Sequence, residues 1–256
     1  MKKTTLIFLF VSIVAVFLTS CANDKEEKVK NFVKIIENTE NGVAEHSVFT
    51  YHEDQIISAD NTKQRIDYTY KEGFITKIVS YNKESKSSKV FEYTYLKEKL
   101  VKITTSENDV IYYTHKSDGT VYYEKYNDNS QNPEQKIYHG TLFFKNKNLV
   151  KDERVFDDVG PNKISGSKTT FEYDAFHNPY CAILGYDKLL DQSILVSKNN
   201  VVMTVTETTV VEAGQTISSA NLYKSIFKYD TDNYPTEQVS ESSISNPNYS
   251  KIEYLY

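Results

Sequence analysis

The chain has no tryptophan, and only 8 glycines, 5 prolines, 2 cysteines and 2 methionines in 256 residues. Each shortage excludes something. With glycine this scarce there is no Gly-rich phosphate loop and no Gly-x-Ser-x-Gly nucleophile elbow. One of the two cysteines belongs to an N-terminal export segment, so Cys181 has no intrachain partner and stability has to come from packing. Cys181 lies in the apolar stretch Tyr180 to Leu184 and is expected to be a small buried hydrophobe. The histidines at 46, 52, 115, 139 and 177 show neither i, i+4 pairing nor zinc spacing with cysteine. Acidic residues cluster at Asp157-Asp158 and in Asp230-Thr-Asp232-Asn233. The second cluster lacks the glycine and the distant glutamate of a calcium loop, so turns are the expected role. No catalytic residue, metal or cofactor is therefore expected, and a hydrolase whose paired carboxylates meet only in the fold is the remaining enzymatic alternative. Basic excess is lacking too: 30 basic against 35 acidic residues give −5, and loss of Lys2 and Lys3 would make it −7. Such a chain is poorly suited to a phosphate backbone, so no nucleic-acid partner is expected.

Only one long apolar run is present. It extends from Leu6 to Leu18, broken by Ser12, behind Lys2 and Lys3, which is the layout of a secretory signal. At about 1.5 Å per residue its helix would cover about 20 Å of a roughly 30 Å hydrocarbon core, too little for a permanent span. Leu18-Thr19-Ser20-Cys21 follows at once and resembles a lipobox, which implies cleavage after residue 20 and a diacylglycerol on the Cys21 thiol. One acyl chain holds marginally, whereas two or three give stable attachment. Ala22 occupies the position where enteric inner-membrane lipoproteins carry aspartate. Lys25-Glu26-Glu27 resembles the Lys-acidic-acidic signal that directs lipoproteins of Bacteroidota to the outer face of the outer membrane. The expected organisation is a signal peptide at 1–20, a lipidated tether at 21–31 and a β domain at 32–256.

What the chain does have is tyrosine and phenylalanine, 21 and 13 of them, with abundant Thr, Val and Ile, all suited to a pleated, half-buried surface. They recur as a unit: aromatic, spacer, aromatic, about four polar residues, then an apolar residue opening a new alternating run. The copies are Phe49-Thr-Tyr51 leading to Ile56, Tyr68-Thr-Tyr70 to Ile75, and Tyr93-Thr-Tyr95 to Leu100. Tyr113-Thr-His115 precedes Val121, Leu142-Phe-Phe144 leads to Leu149, Phe171-Glu-Tyr173 precedes Pro179, and Phe227-Lys-Tyr229 precedes Pro235. Ile194-Leu-Val196 leading to Val201 reads as a worn copy and Tyr254-Leu-Tyr256 as a final half. Period-two alternation and polar connections such as Lys71-Glu72-Gly73 and Asn146-Lys147-Asn148 make each unit a hairpin. Both aromatics of a unit project from one face and should form a ladder across the sheet. Pro179 and Pro235 should end pairing or mark an edge. The segment before Glu40-Asn41-Gly42 reads as a strand, Lys125 to Lys136 as a long loop, and Leu184 to Leu190 as the place for a helical turn around Tyr186-Asp187-Lys188.

Tyr70-Lys-Glu-Gly-Phe-Ile-Thr-Lys-Ile78 and Tyr173-Asp-Ala-Phe-His-Asn-Pro resemble the YD, or RHS-like, repeats of uncharacterised lipoproteins of Bacteroidota, over residues 45 to 256. The resemblance implies a β-sheet lipoprotein and carries no activity. Only Tyr173 and Tyr229 keep the aspartate that the repeat usually has after tyrosine.

The expected fold is all-β: an antiparallel meander of repeated hairpins forming one large twisted or curled sheet, with a two-sheet sandwich as the alternative. Prolines and lysines should protect its edges. The expected function is a non-catalytic binding or assembly role in the bacterial envelope, with the membrane reached through lipid and an envelope protein as partner. The alternative is a glycan or peptidoglycan module built on exposed tyrosine rows.

Overall fold

The computed structural model describes residues 32–40, 43–129, 132–157, 159–160, 163–192, 196–242 and 250–256. Its strands are β1 (Ile35–Glu40), β2 (Val43–His52), β3 (Gln55–Asp60), β4 (Gln64–Lys71), β5 (Phe74–Asn82), β6 (Ser87–Leu96), β7 (Lys99–Thr105) and β8 (Asp109–His115). They continue with β9 (Val121–Asn129), β10 (Asn132–Lys145), β11 (Asn148–Phe156), β12 (Lys163–His177), β13 (Asn199–Glu212), β14 (Gln215–Tyr229), β15 (Pro235–Ser242) and β16 (Ser250–Leu255). Each pairs antiparallel with its neighbours in the chain. β1 also pairs with β16, from Ile35 opposite Leu255 to Glu40 opposite Ser250, and this closes the sheet into a barrel.

Closure corrects the expected fold. The sheet is neither an open twisted or curled meander nor a sandwich, and with β1 bonded to β16 no edge strand remains to be protected. Pro235 is the first residue of β15 and Pro179 lies just past the end of β12, positions where a missing ladder N–H does no harm.

The repeat contains the physical cause of closure. Tyr51 faces Ile56, Tyr70 faces Ile75, Tyr95 faces Leu100, Phe144 faces Leu149 and Tyr229 faces Pro235, and in each hairpin the register slips at that point. Such a slip is a β-bulge, which increases local twist and bends the strand. Repeated at one end of a single meander, it curves the sheet round until its ends meet. A bulge also leaves backbone groups without ladder partners, and the second aromatic of a repeat reaches across to satisfy them. Tyr95 O–H donates to the Ile75 carbonyl at 2.9 Å, Tyr256 O–H to that of Pro235 at 3.0 Å, and Tyr173 O–H to that of Leu149. The His115 Nε2 stands 2.8 Å from the Leu100 carbonyl, and the Tyr70 hydroxyl accepts the Ile56 N–H at 3.3 Å.

The same alternation directs the aromatic pairs into the lumen. There those of the units from Phe49 to Tyr95 join Ile56, Ile75, Leu100, Ile103 and Leu149, all at most 1% exposed, in one cluster, while Tyr254 and Tyr256 pack in a second with Val33 and Ile36. Turns such as Lys97-Glu98 and Asn146-Lys147 place two consecutive residues at positive φ, the pattern of a type I′ hairpin.

Two local expectations change and two hold. The polar stretch from Lys125 to Lys136 is not a loop: β9 runs to Asn129 and β10 starts at Asn132. Lys125 and Asn127 face the lumen, where Asn127 donates to Asp109 at 3.0 Å and Lys125 pairs with Asp109 at 2.7 Å, while Lys136 lies on the outer wall beside Glu124. Val196 lies outside any strand, so the proposed worn copy there is not a hairpin, and Ile194 and Leu195 fall outside the described residues. The strand before the Glu40 turn is β1, and a 3-10 turn forms at Tyr186–Lys188.

Candidate binding site at the plugged end of the barrel

The link between β12 and β13 turns inward and plugs one end of the lumen. Ile183, Tyr186, Leu189 and Val196 are at most 6% exposed and pack into the core cluster of the wall. Backbone bonds fix the plug to the hairpin turns of that end: Leu184 N–H to the Asp54 carbonyl at 2.9 Å, and Lys198 N–H to that of Lys147 at 3.2 Å. The Tyr70 O–H donates to the Leu184 carbonyl at 3.1 Å, and Tyr186 O–H to the Tyr68 hydroxyl at 2.9 Å. Gly185, at φ 80°, brings the plug close enough to the β4–β5 turn that a Cβ would stand 3.4 Å from the Gly73 carbonyl oxygen. The described N-terminus enters at this same end, since Lys34 N–H donates to the Leu255 carbonyl and Tyr51 O–H to that of Val33.

A groove of about 960 Å³ opens between the plug and the turns. Its walls include Phe144 and Lys147 of the β10–β11 hairpin, His177, Cys181, Lys188, Val196 and Lys198 of the β12–β13 link, and Asp232 and Tyr234 before β15. His177 stacks on Tyr234 at 4.9 Å between ring centres. Cys181 is exposed here rather than buried, because the link turns at Tyr180–Ile183 and buries Ile183 instead.

Toward the opposite end the lumen is polar. Arg154 donates to the Tyr123 hydroxyl at 3.0 Å and to Asp152 at 3.1 Å, and its guanidinium lies 4.4 Å from the Tyr138 ring centre. Ser225, Ser240, Gln238 and Tyr254 form a second network, closed by Tyr254 O–H to the Gln238 side-chain oxygen at 2.6 Å. Burial raises the phenols of Tyr51, Tyr70, Tyr93 and Tyr95, and pushes Tyr173 up to about 12. They remain protonated donors, which suits structure and not base catalysis. The repeat tyrosines Tyr68, Tyr70, Tyr93 and Tyr95 are turned inward and used in packing, whereas Tyr112 and Tyr223 stay exposed, Tyr112 edge-on to Tyr126.

Asp191 of the plug is a carboxyl whose pKa burial raises. The residue as a whole is half-buried, yet its Oδ1 is sealed from solvent and without a hydrogen-bond partner among the described residues. Burial raises its pKa, and hydrogen bonds from Tyr93 and Gln192 only partly oppose the rise. The folded chain therefore holds this proton to higher pH than the unfolded chain does. The resulting stability is present below the ordinary carboxylate range and is lost as pH rises through the raised folded value. Asp191→Asn keeps the acceptor for Tyr93, so it should raise the melting temperature at neutral pH and change it little near pH 4, about the ordinary value. Melting curves of the two proteins that stayed parallel from about pH 4 to 8 would contradict this assignment.

The outer wall carries rows of charge. Glu153, Lys168 and Glu207 lie side by side across β11–β13, as do Lys228, Glu237 and Glu253 across β14–β16. Ion pairs join Arg65 to Asp67 at 2.8 Å, Lys151 to Glu153 at 2.7 Å, Lys168 to Glu207 at 3.0 Å and Lys228 to Glu237 at 2.6 Å, and Lys136 contacts Glu124. Basic residues facing lipid cost about 2–4 kcal/mol each near the bilayer midplane.

Cys21, Lys25, Glu26 and Glu27 lie outside the described residues, so no geometry bears on them. The histidines serve separate local ends: His115 at a bulge, His139 paired with Asp157 at 2.8 Å, His46 3.7 Å from Glu37, and His177 on Tyr234. Among the described residues no three His, Cys, Asp or Glu converge on one point. Asp230 is a turn former, its carboxylate accepting from the N–H groups of Asp232 and Tyr234 at 2.9 and 3.1 Å. Sequence reasoning missed the plug and its groove. The available signal was the lapse of the aromatic repeat between Pro179 and Asn199.

No family model matches the chain, and no curated protein matches it either. Solved structures share its fold, two of them as follows. A porin-like protein from Bacteroides vulgatus superposes with a TM-score of 0.56 at 14% identity, covering 89% of this chain and 99% of that one. A porin-like protein from Bacteroides uniformis gives 0.50 at 8% identity, covering 87% and 97%. The likeness is one of fold. It corrects the YD/RHS-like assignment: the aromatic repeat is the hairpin unit of a closed barrel of the porin-like kind, not a YD-repeat sheet.

Proposed function

We propose that this protein is a non-catalytic binding component of the bacterial outer membrane, held there by lipid on Cys21, with its barrel in water beside the bilayer. The observation that carries the reading is the outer wall. A bilayer-spanning barrel presents an apolar band about 25 Å tall to lipid, whereas here charged residues face outward across β4, β9–β13 and β14–β16. The buried apolar side chains lie in the lumen and around the plug, and the exposed ones, such as Val43, Ile164, Ile217 and Ile226, share the outer surface with these charges. Such a barrel favours water on its outside, and membrane attachment falls to the N-terminal cysteine. The likeness to porin-like folds supports an envelope setting, and Lys25-Glu26-Glu27 supports display on the outer face.

The test is extraction of membranes from cells making the wild type or Cys21→Ser. The wild type should stay with the outer membrane through a carbonate wash and be shaved by external protease, and Cys21→Ser should be recovered as soluble protein. Retention of Cys21→Ser in the washed membrane at the wild-type level would mean that the barrel itself is embedded.

A further inference from the structure

We infer that this chain forms a weak two-fold dimer through the open edge of β14, a second copy adding its own β14 there as the next antiparallel strand. Closure gives every strand two neighbours, but the lengths do not match. β14 is bonded to β13 from Gln215 to Lys224, whereas its described ladder with β15 begins only at Tyr223, opposite Ser242. Gln215 to Ala220 thus project past β15, and every residue from Glu212 to Ala220 is exposed. Ile164 and Ile217, on opposite faces of the projection, are 65% and 70% exposed, so water wets it on both sides.

The β13–β14 turn fixes which backbone groups face the open edge. Ala213 and Gly214 both have positive φ and Glu212 stands opposite Gln215, which is a two-residue type I′ hairpin whose closing pair exchanges both hydrogen bonds. Alternation along the ladder then bonds Gln215, Ile217 and Ser219 to β13 and turns the N–H and C=O groups of Thr216, Ser218 and Ala220 outward. Sheets ordinarily blunt such an edge with lysine, proline or a bulge. Here no charged residue and no proline stands between Glu212 and Lys224, and the β13–β14 register runs without a slip.

Charge and symmetry select a second copy as the occupant. In a chain of net charge −5, this edge lets two identical molecules meet without like charges opposed, and the charge at its tip is matched within the sheet, Glu212 lying 3.7 Å from Lys163. A dyad at Ile217 sets Thr216 opposite the partner's Ser218 and Ser218 opposite the partner's Thr216, a hydrogen-bonded pair on each side. Between them the two Ile217 side chains meet in the closer, non-bonded position, a facing β-branched pair. The dyad is perpendicular to the sheet and reverses the barrel axis, so the two plugged ends point apart and their grooves stay open. One pair of short strands buries little surface, which corresponds to a Kd of about 10–100 µM. Pairing needs no lipid and stands apart from the Cys21 reading.

The experiment uses the mature chain with Cys21→Ser and Cys181→Ser, so that no other thiol takes part. Sedimentation should show a monomer near about 1 µM and mostly dimer near about 500 µM. Ile217→Lys, which opposes two ammonium groups, and Ser218→Pro, which removes an edge N–H, should each raise Kd about ten-fold or more. Their melting temperatures should stay within about 2 °C of the parent at low concentration. Ile217→Cys should cross-link into a dimer under mild oxidation, because a facing non-bonded pair has a Cα separation of about 4.5 Å, within disulfide reach. Ile164→Cys, similarly exposed but two strands inward, should not. A monomer at every concentration would overturn the proposal, and slow exchange of the Thr216, Ser218 and Ala220 amides in it would show the edge to be covered from within the chain. A dimer left unchanged by Ile217→Lys and Ser218→Pro, or cross-linked through Ile164→Cys instead, would overturn it as well.

Discussion

Gly140→Val should unfold the barrel at markedly lower temperature, the largest loss expected from any single substitution here. Gly140 sits opposite Tyr123 in the β9–β10 ladder, and the Tyr123 ring lies across it. A Cβ at this position would collide with both the Tyr123 ring and the backbone carbonyl of Glu153, and the latter cannot swing aside. Expelling the ring also disconnects the Tyr123 hydroxyl from Asp152, 2.5 Å away, and from Arg154. Overpacking alone costs about 1–3 kcal/mol, and breaking a partly buried charge network adds to it. A loss of about 3–5 kcal/mol is expected, read by denaturant unfolding with an unchanged slope. Tyr123→Ala in the same background should recover part of the loss, because it removes one of the two clashes and leaves that with the Glu153 carbonyl. A Gly140→Val protein within about 1 kcal/mol of the wild type would show that the ring does not need this space.

Leu189→Ala tests whether the plug belongs to the core or only rests against it. Leu189 is 1% exposed and packs in the same cluster as the strand-opening residues Ile56, Ile75, Leu100 and Leu149. Truncation of a buried leucine costs about 2–5 kcal/mol, at about 2–4 °C per kcal/mol for a domain of this size. If plug and wall share one core, far-ultraviolet circular dichroism of the sheet should shift by that amount in a single transition. Faster amide exchange confined to residues 178–198, with the sheet melting unchanged, would instead describe a plug that opens by itself.

Strands and their faces were largely legible in the sequence, because period-two alternation of Phe, Tyr, Ile and Val has one physical meaning on a pleated chain. The helical turn at Tyr186 was legible for the same local reason. The Lys125 to Lys136 stretch was misread because a polar composition was taken as solvent-facing, whereas this lumen is itself polar and accepts Lys125 and Asn127 from a strand. Cys181 was misread because apolar neighbours were taken to bury it, although a tight turn sends adjacent residues to opposite sides.

The candidate site was not legible at all. Lys147 and Lys198 are far apart in the chain and line one groove only because the plug returns to the β10–β11 turn, where Asn148 and Asn199 bind each other.

By itself the sequence determined an export segment with a lipid-bearing Cys21 as an expectation, and a meander of hairpins whose aromatic pairs share a face. Both are local properties, written in the order of a few residues. Tertiary structure alone decided that the meander closes, that the shared face is the inside, and that the one lapse in the repeat fills one end. Closure depends on the summed bend of successive bulges and on β1 meeting β16, a pairing between the first and last strands that no local pattern encodes.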